Sequence, residues 1–462
     1  MTGTVYIVHA VDTEGPLYEG LDATFNQLKE QFGVELNPTR LNVEKLRSKS
    51  IDLGGKEDAV AYFMRKDRID TYNGTWNHID EMHDVFMSDE WRDKLLDSDG
   101  SPYVVSWYCM DHVGFNYNPR RRAMGYHEIY KYYKNKIEEF GRKRDKIYWH
   151  YHPMSFAADA HRMGYNYSYK GNLHNEILAR RIIDHMWFPV ANRPGGHIEA
   201  FDINCWLEQW VPFDLANQSM EINEELDTEE SAGRIPGRYG DWRGATTKWD
   251  VYHPSLYDYR KEGELKRWVG RCLNINSRHS NISAEEIRNA FELAETGKDV
   301  LLSYTNHDFR NMINETEELV ATIQKVAGEF SDVKFKWANA VEAFRGALDM
   351  KEIDLPDFDV EINDQFIRLK LLTGDVWGVQ PFLALKTHSG EYFHDNFIID
   401  GNHTWTYAFD DDSLNMNAVS DIGFACNDKV GNTSVTRINL STRVIEKKYH
   451  NTNDWLTNKK NH

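Results

Sequence analysis

Cysteine is scarce: Cys109, Cys205, Cys272 and Cys426 are the only four in 462 residues. No C-x-x-C pair exists, which excludes a zinc ribbon or a thioredoxin-like motif. Isolated thiols suit a reducing compartment and argue against a disulfide framework. Basic charge is short as well, with 54 Lys and Arg against 73 Asp and Glu, a formal net charge of −19 at pH 7. Nucleic acid and anionic membrane surfaces are polyanions, so neither is expected as a general partner. No run approaches the roughly 18 apolar residues of a spanning helix, so no integral membrane segment is expected. The chain shows no basic n-region followed by an apolar h-region and a cleavage site. It reads straight into a strand, Thr4–Val11, and a soluble cytoplasmic protein is the expectation. Internal repeats and low-complexity tracts are absent.

Apolar and aromatic residues are plentiful. Hydrophobic content is 41%, and 14 Trp, 24 Tyr and 22 Phe make the chain 13% aromatic. That is ample for buried cores and suggests a second use for the aromatics besides packing. From Val5 to about Ala347, short apolar runs alternate with amphipathic segments. Strands are expected at Val5–Val11, Tyr103–Met110, Lys146–His150, Phe188–Asn192, Val300–Tyr304 and Val333–Trp337. Ser283-Ala-Glu-Glu286 reads as a capping box, followed by Ile287, Ala290, Phe291 and Ala294 at helical spacing and by Gly297 as a stop. Such alternation means a parallel sheet or barrel, whose C-terminal strand ends carry the chemistry. Residues 23–100 form a polar, helix-leaning insertion, and Gly233–Tyr259 is a long Trp/Tyr/Gly-rich loop of the kind that is usually functional. After about Met350 the period changes to two: Phe358, Val360 and Ile362, then Ile367, Leu369 and Leu371, then Trp405, Tyr407 and Phe409. This predicts an antiparallel β-sandwich over 350–462, joined to a 1–349 domain through a linker at Lys351–Asp359.

Four strand ends bring reactive side chains. The first ends Asp12-Thr-Glu14-Gly-Pro16, two carboxylates on one side of an extended segment. Close carboxylates repel and are normally separated by a metal or a shared proton; an ordinary solvated loop is the alternative. The third ends His150-Tyr-His152-Pro153, two imidazoles at i and i+2. A lone buried histidine is usually a satisfied core residue, but two His plus one carboxylate compose a catalytic zinc site with an open position. The same set would hold iron, cobalt or manganese. The fourth ends Arg193-Pro-Gly-Gly196-His197, where glycines allow close approach and Arg193 can orient a carboxylate; a tight turn is the bland reading. A late strand ends Asn306-His307-Asp308.

In this order the motifs resemble the polysaccharide deacetylase family (the chitooligosaccharide-deacetylase homology domain, carbohydrate esterase family 4). The resemblance covers about residues 4–345 and is closest to the bacterial branch tied to surface-polysaccharide (O-antigen or capsule) synthesis. It implies a distorted (β/α)7 barrel, followed here by the β-sandwich. It implies a divalent transition metal, Zn2+ first, held by Glu14, His150 and His152, with Asp12 as base, Arg193 pairing with the base and His307 as acid. The pair here is Asp-x-Glu rather than adjacent Asp residues, so Asp12 and Glu14 are exchangeable in these roles. The histidine spacing is also more compressed than the family's. The loop Asp241-Trp-Arg243 through Tyr252-His-Pro-Ser255 matches the region where the family builds a groove wall. The implied activity is removal of N-acetyl groups from a saccharide or activated sugar.

Asp111 and His112, ending the second strand, are expected to line the pocket with Trp242 and Tyr252. Aromatic faces stack on sugar rings, although packing of the loop accounts for any one of them equally well. Arg120-Arg-Arg122 reads as a solvated patch or a phosphate holder. Asp410-Asp-Asp412 reads as a turn, with a calcium ligand set as the lesser alternative. Asn73-Gly-Thr75 carries no weight as a sequon without a secretion signal. Two other functions remain open: a metal-dependent amidase acting on a non-saccharide C–N bond, and a catalytically silent glycan-binding protein. The sequence leaves a homo-oligomer open.

Overall fold

Period-two alternation along buried strands builds the first layer of this protein. The computed structural model describes residues 2–17, 21–66, 72–111, 126–152, 171–221, 240–277 and 280–450. A nine-stranded sheet is formed by β1 (Thr4–Thr13), β2 (Val105–Asp111), β3 (Lys146–Tyr151), β4 (Ala191–Asn192), β5 (Phe213–Asn217), β6 (Trp268–Arg271), β7 (Leu273–Asn274), β8 (Val300–His307) and β9 (Lys334–Trp337). Every pairing is parallel, in the order β6-β5-β4-β3-β2-β1-β8-β7, with β9 also on β1. Only Cys272 separates β6, which pairs with β5, from β7, which pairs with β8. The sheet therefore curls into a nearly closed barrel.

Alternate residues go to opposite faces. Tyr6, Val8 and Ala10 pack inside the barrel with Tyr108, Tyr148, Ala191, Leu215, Cys272 and Leu301. Val5, Ile7 and Val11 face outward with Trp107 and Trp149, against helices that include Trp76–Phe86, Ala284–Glu295 and Met312–Ala327. Strands buried on both faces read as nearly continuous apolar runs, which is why β1 and β8 are plain in the sequence. Those at β5 and β6 were not expected: each is short and carries polar residues, Asp214, Asn217 and Arg271, that hydrogen-bond behind the sheet. The strand expected at Phe188–Asn192 shrinks to two residues, since Pro189 has no N–H to give a ladder.

Most of the aromatic excess belongs to the outer layer. Trp91, Trp107, Trp149, Trp187, Trp210, Trp337, Tyr103 and Tyr133 are all buried in one core cluster. Two histidines share this layer as neutral rings, each pushed by burial to about 3. His9 donates from Nε2 to Asn306 Oδ1 at 2.8 Å and accepts the Tyr103 hydroxyl on Nδ1 at 2.8 Å. His83 lies 3.0 Å from the Tyr132 hydroxyl through Nδ1. Below about pH 6.5 the unfolded chain takes up a proton at each ring, and the folded chain does not until far lower pH. Their contribution is thus fully present above that value and is lost as pH falls. Guanidinium unfolding should lose about 2 kcal/mol per histidine between pH 7 and pH 5. Equal stability at the two pH values would contradict their neutral burial.

The insertion at 23–100 divides. Helices Leu21–Phe32, Arg40–Arg47 and Glu57–Phe63 share a small core of Phe25, Leu28, Val43, Leu46, Val60 and Phe63. The helix Trp76–Phe86 instead joins the barrel's outer layer through Met82 and Phe86. At Ser283 only half of the expected capping box forms. The Ser283 hydroxyl accepts the Glu286 N–H, but the Glu286 carboxylate pairs with buried Arg271 instead. Gly297 stops that helix at φ +98° as expected.

Beyond the barrel lie two antiparallel sheets. One contains β10 (Asp357–Ile362), β11 (Phe366–Thr373), β14 (Ile398–Gly401) and β15 (Thr404–Ala408). The other contains β12 (Phe382–Thr387), β13 (Tyr392–Asp395), β16 (Val419–Asn427), β17 (Thr433–Asn439) and β18 (Val444–His450). Phe358, Ile367, Leu369, Trp405 and Tyr407 of the first pack on Leu383, Leu385, Ile422, Phe424 and Ile438 of the second. The back of the second sheet rests on the barrel's helix Gly171–His185. A Cβ on Gly423 would meet Ile182 Cγ2 at 2.6 Å. Asn427 Nδ2 donates to the carbonyls of Pro189 and Trp210 at 2.7 and 2.8 Å, so residues just before β4 and β5 anchor the sandwich. Asp410 caps its own turn, accepting the Asp412 and Ser413 N–H groups.

Candidate metal centre

The inward parity of the strands continues past their ends. Ala10 is followed inward by Asp12 and Glu14, Tyr148 by His150 and His152, Ala191 by Arg193, and Leu301 by His307. In register, Asp12 pairs with His307 on one side and Tyr108 on the other. The four sequence motifs therefore meet at one mouth of the barrel.

Glu14, His150 and His152 each offer one ligand atom, and these atoms lie within 4.8 Å of one another. His150 Nε2 is 3.1 Å from His152 Nε2, and His152 Nε2 is 3.4 Å from Glu14 Oε1. In a tetrahedral site with metal–ligand bonds of about 2.0–2.1 Å, ligand atoms sit roughly 3.3 Å apart. His150 Nδ1 is 2.6 Å from the Arg193 carbonyl, which can only accept, so the proton is on Nδ1 and the Nε2 lone pair faces His152 and Glu14. Fixing a ligand histidine through its other nitrogen is common in metal sites. Burial, with His152 and Arg193 nearby, holds the His150 ring well below the usual histidine range, in the neutral form that binds metal. These residues fit a divalent transition metal.

Asp12 stands beside this group. Arg193 donates to its Oδ2, and His307 Nε2 lies 3.6 Å from the same oxygen. Asp12 Oδ1 is buried, 3.4 Å from His150 Nδ1, with no hydrogen-bond partner among the described residues. Burial raises the Asp12 carboxyl, against the opposing pull of Arg193. His307 is pushed down to about 4 by burial, so at neutral pH its ring is neutral. Its side chain keeps 28% of its surface exposed, whereas Asp12 and Arg193 keep 2% and 1%.

Two glycines are needed for this geometry. Gly15 has φ +75°, and a Cβ there would meet the Trp76 ring at 2.9 Å. A Cβ on Gly195 would meet the His152 ring at 2.6 Å. Sequence reasoning missed what orders the turn after β1. Asp308 accepts the Glu14 N–H at 2.9 Å, the Gly15 N–H at 2.8 Å and the Tyr133 hydroxyl at 2.7 Å. Asn73, from the insertion, donates through its backbone to Phe309 O and through its side chain to Asp308 O and Arg310 O. It also accepts the Leu17 N–H. It thus ties the β1 and β8 loops together. The Asn-Gly-Thr spelling hid this role, and Thr75 is the N-cap of the next helix.

The structure places three of the expected substrate contacts in packed positions. Asp111 is fully buried, with its oxygens 2.5 Å from Arg181 Nη2 and 2.5 Å from the Trp149 indole nitrogen. Its side chain faces behind the sheet rather than into the barrel. Trp242 is 1% exposed and donates to His197 O; Tyr252 is 6% exposed and donates to Tyr259 O. Both pack the loop onto β5 and β6 with Ala216 and Val269. Tyr257, by contrast, is 83% exposed. His112 and Arg120–Arg122 lie outside the described residues.

No family model matches the chain, and no curated protein matches it. Among solved structures, it is similar to a Cellulomonas fimi endo-beta-1,4-mannanase double mutant at 9% identity. That match covers 76% of this chain and 86% of the other, with a TM-score of 0.25. An engineered protein matches at 13% identity over 96% and 93% of the two chains, with a TM-score of 0.24. At these TM-scores neither likeness bears on function.

Proposed function

We propose that this chain is a metal-dependent hydrolase that removes N-acetyl groups from a saccharide or activated sugar, similar to the polysaccharide deacetylases and serving bacterial surface-polysaccharide synthesis. The observation that carries the reading is the meeting of a Glu14–His150–His152 ligand set with an Asp12–Arg193 pair at one barrel mouth. The nearly closed, all-parallel barrel is compatible with that family's fold. Zn2+ suits two imidazoles, one carboxylate and an open position. A metal held there would polarise an amide carbonyl and lower the pKa of a water.

The chain's own groups supply the proton handling. Asp12 offers its unpaired Oδ1 as acceptor while Arg193 holds Oδ2 and keeps the carboxylate oriented. His307, a neutral ring with Nε2 3.6 Å from Asp12 Oδ2 and part of its side chain exposed, is the group that hands a proton to the departing amine at the open side of the site. His307→Ala should therefore keep the metal while turnover falls roughly 10²- to 10⁴-fold. Metal lost together with His307 would show that the role belongs to a ligand.

The test of the whole reading is elemental analysis of the purified chain together with acetate release from N-acetylated saccharides. About one transition metal per chain, with acetate released, supports it; no metal and no acetate would sink it. The packing of Trp242 and Tyr252 favours a second reading, an amidase of the same barrel acting on a non-saccharide C–N bond. Bound metal and hydrolysis of simple amides without acetate release from sugars would select that one.

A further inference from the structure

We propose that His197 is the positioning residue that holds Arg193 against Asp12; its effect on turnover rests on the reading of Asp12 as the base. Arg193 uses one terminal nitrogen for Asp12 and the other for His197 Nε2, at 2.6 Å. A guanidinium has donors only, so Nε2 presents its lone pair and the proton sits on Nδ1. Nδ1 lies 3.1 Å from the Ala216 carbonyl, which only accepts. Two neighbours on opposite sides of the ring thus require the same neutral tautomer.

The residue carrying the ring is itself pinned. His197 has φ +53°, a left-handed conformation following Gly196 at φ +61°. Its carbonyl accepts the Trp242 indole N–H at 2.8 Å. The backbone of Gly240 passes so close that a Cβ there would meet His197 O at 1.8 Å. Backbone and ring are therefore both anchored, by the 240–242 segment and by β5. Asp12 holds one terminal nitrogen of the buried Arg193, and Cys272 also lies against the guanidinium. His197 fixes the other terminal nitrogen, so both ends of the fork are held, which is what a carboxylate needs in order to keep one oxygen aimed at a reacting water. The packed Trp242 acquires a purpose in this arrangement, as the seat of the anchor.

The experiment has two arms on the full-length chain. In the first, 15N NMR of histidine-labelled protein reads the His197 ring, assigned by its loss in His197→Asn, a residue that tolerates positive φ. Nitrogen shifts of the neutral Nδ1–H tautomer are expected, with a solvent-protected ring proton. A proton on Nε2 or a charged ring would overturn the inference, whatever the activity. In the second arm, His197→Asn should lower kcat about 10- to 100-fold with KM and bound metal unchanged. His197→Gln, whose amide can both accept from Arg193 and donate to Ala216, should recover most of the loss. A rise in KM at constant kcat, or no rescue by Gln in a folded, metal-loaded variant, would also overturn it. If the wild-type chain neither holds metal nor releases acetate, the deacetylase reading fails, and the tautomer still decides whether Arg193 is anchored by His197.

Discussion

Asp12→Asn is expected to lower turnover roughly 10²- to 10⁴-fold, the usual contribution of a positioned general base, while the bound metal stays. The asparagine keeps an acceptor for Arg193 but cannot take a proton. The geometry separates the two members of the Asp-x-Glu pair: Glu14 gathers with the histidines, whereas Asp12 faces Arg193 and His307. The same substitution leaves Arg193 buried without a counter-charge. Part of any stability loss, of order 3–5 kcal/mol for a broken buried pair, would then appear in unfolding and not in metal content. Measuring kcat, bound metal and the unfolding midpoint together separates these effects. If Asp12→Asn releases the metal and Glu14→Gln keeps it, the two carboxylates have exchanged roles.

The second large effect is expected at the histidines. His150→Ala and His152→Ala should each remove the metal and take turnover to background, because a three-ligand site rarely holds its ion with two. His150 is the more informative, since its Nδ1–H is already bonded to the Arg193 carbonyl and only Nε2 is available. His150→Gln, which can keep a donor toward that carbonyl, should still lose the ion. Elemental analysis after dialysis against a weak chelator is the measurement. Retention of stoichiometric metal by either alanine variant would remove that residue from the ligand set.

Both predictions draw on residues visible in the sequence, and the reason is physical. The candidate residues sit in the last two positions of a β-strand or one step beyond it, where period-two parity carries an inward side chain from core to mouth. The strand ends Asp12–Glu14, His150–His152, Arg193 and His307 could therefore be read without coordinates. What could not be read depends on partners far away in the chain. Asp308 looks like an extension of the His307 motif, yet its work is to hold the amides of Glu14 and Gly15. His197 acts through Arg193, and nothing in its own neighbourhood marks that. Asp111 has the same strand-end address as Asp12 but the opposite parity, so its carboxylate meets Arg181 and Trp149 behind the sheet. The aromatic loop is ambiguous for a related reason: Trp and Tyr suit a sugar groove and a packed core equally well, and burial places Trp242 and Tyr252 in the packing.

The helix Gly171–His185 has a consequence for anyone who would engineer this chain. Its Arg181 supports Asp111 near the barrel mouth, and its Ile182 and Ile183 press into the gap left by Gly423. Phe188 and Trp210 meet Phe382 on the same surface. A fragment cut near residue 350 would bare that surface to water and invite aggregation. Grafting a foreign sandwich would require a side-chain-free position opposite two isoleucines. The barrel and its companion sheets are thus one unit of manufacture, even though the candidate metal centre lies in only one of them.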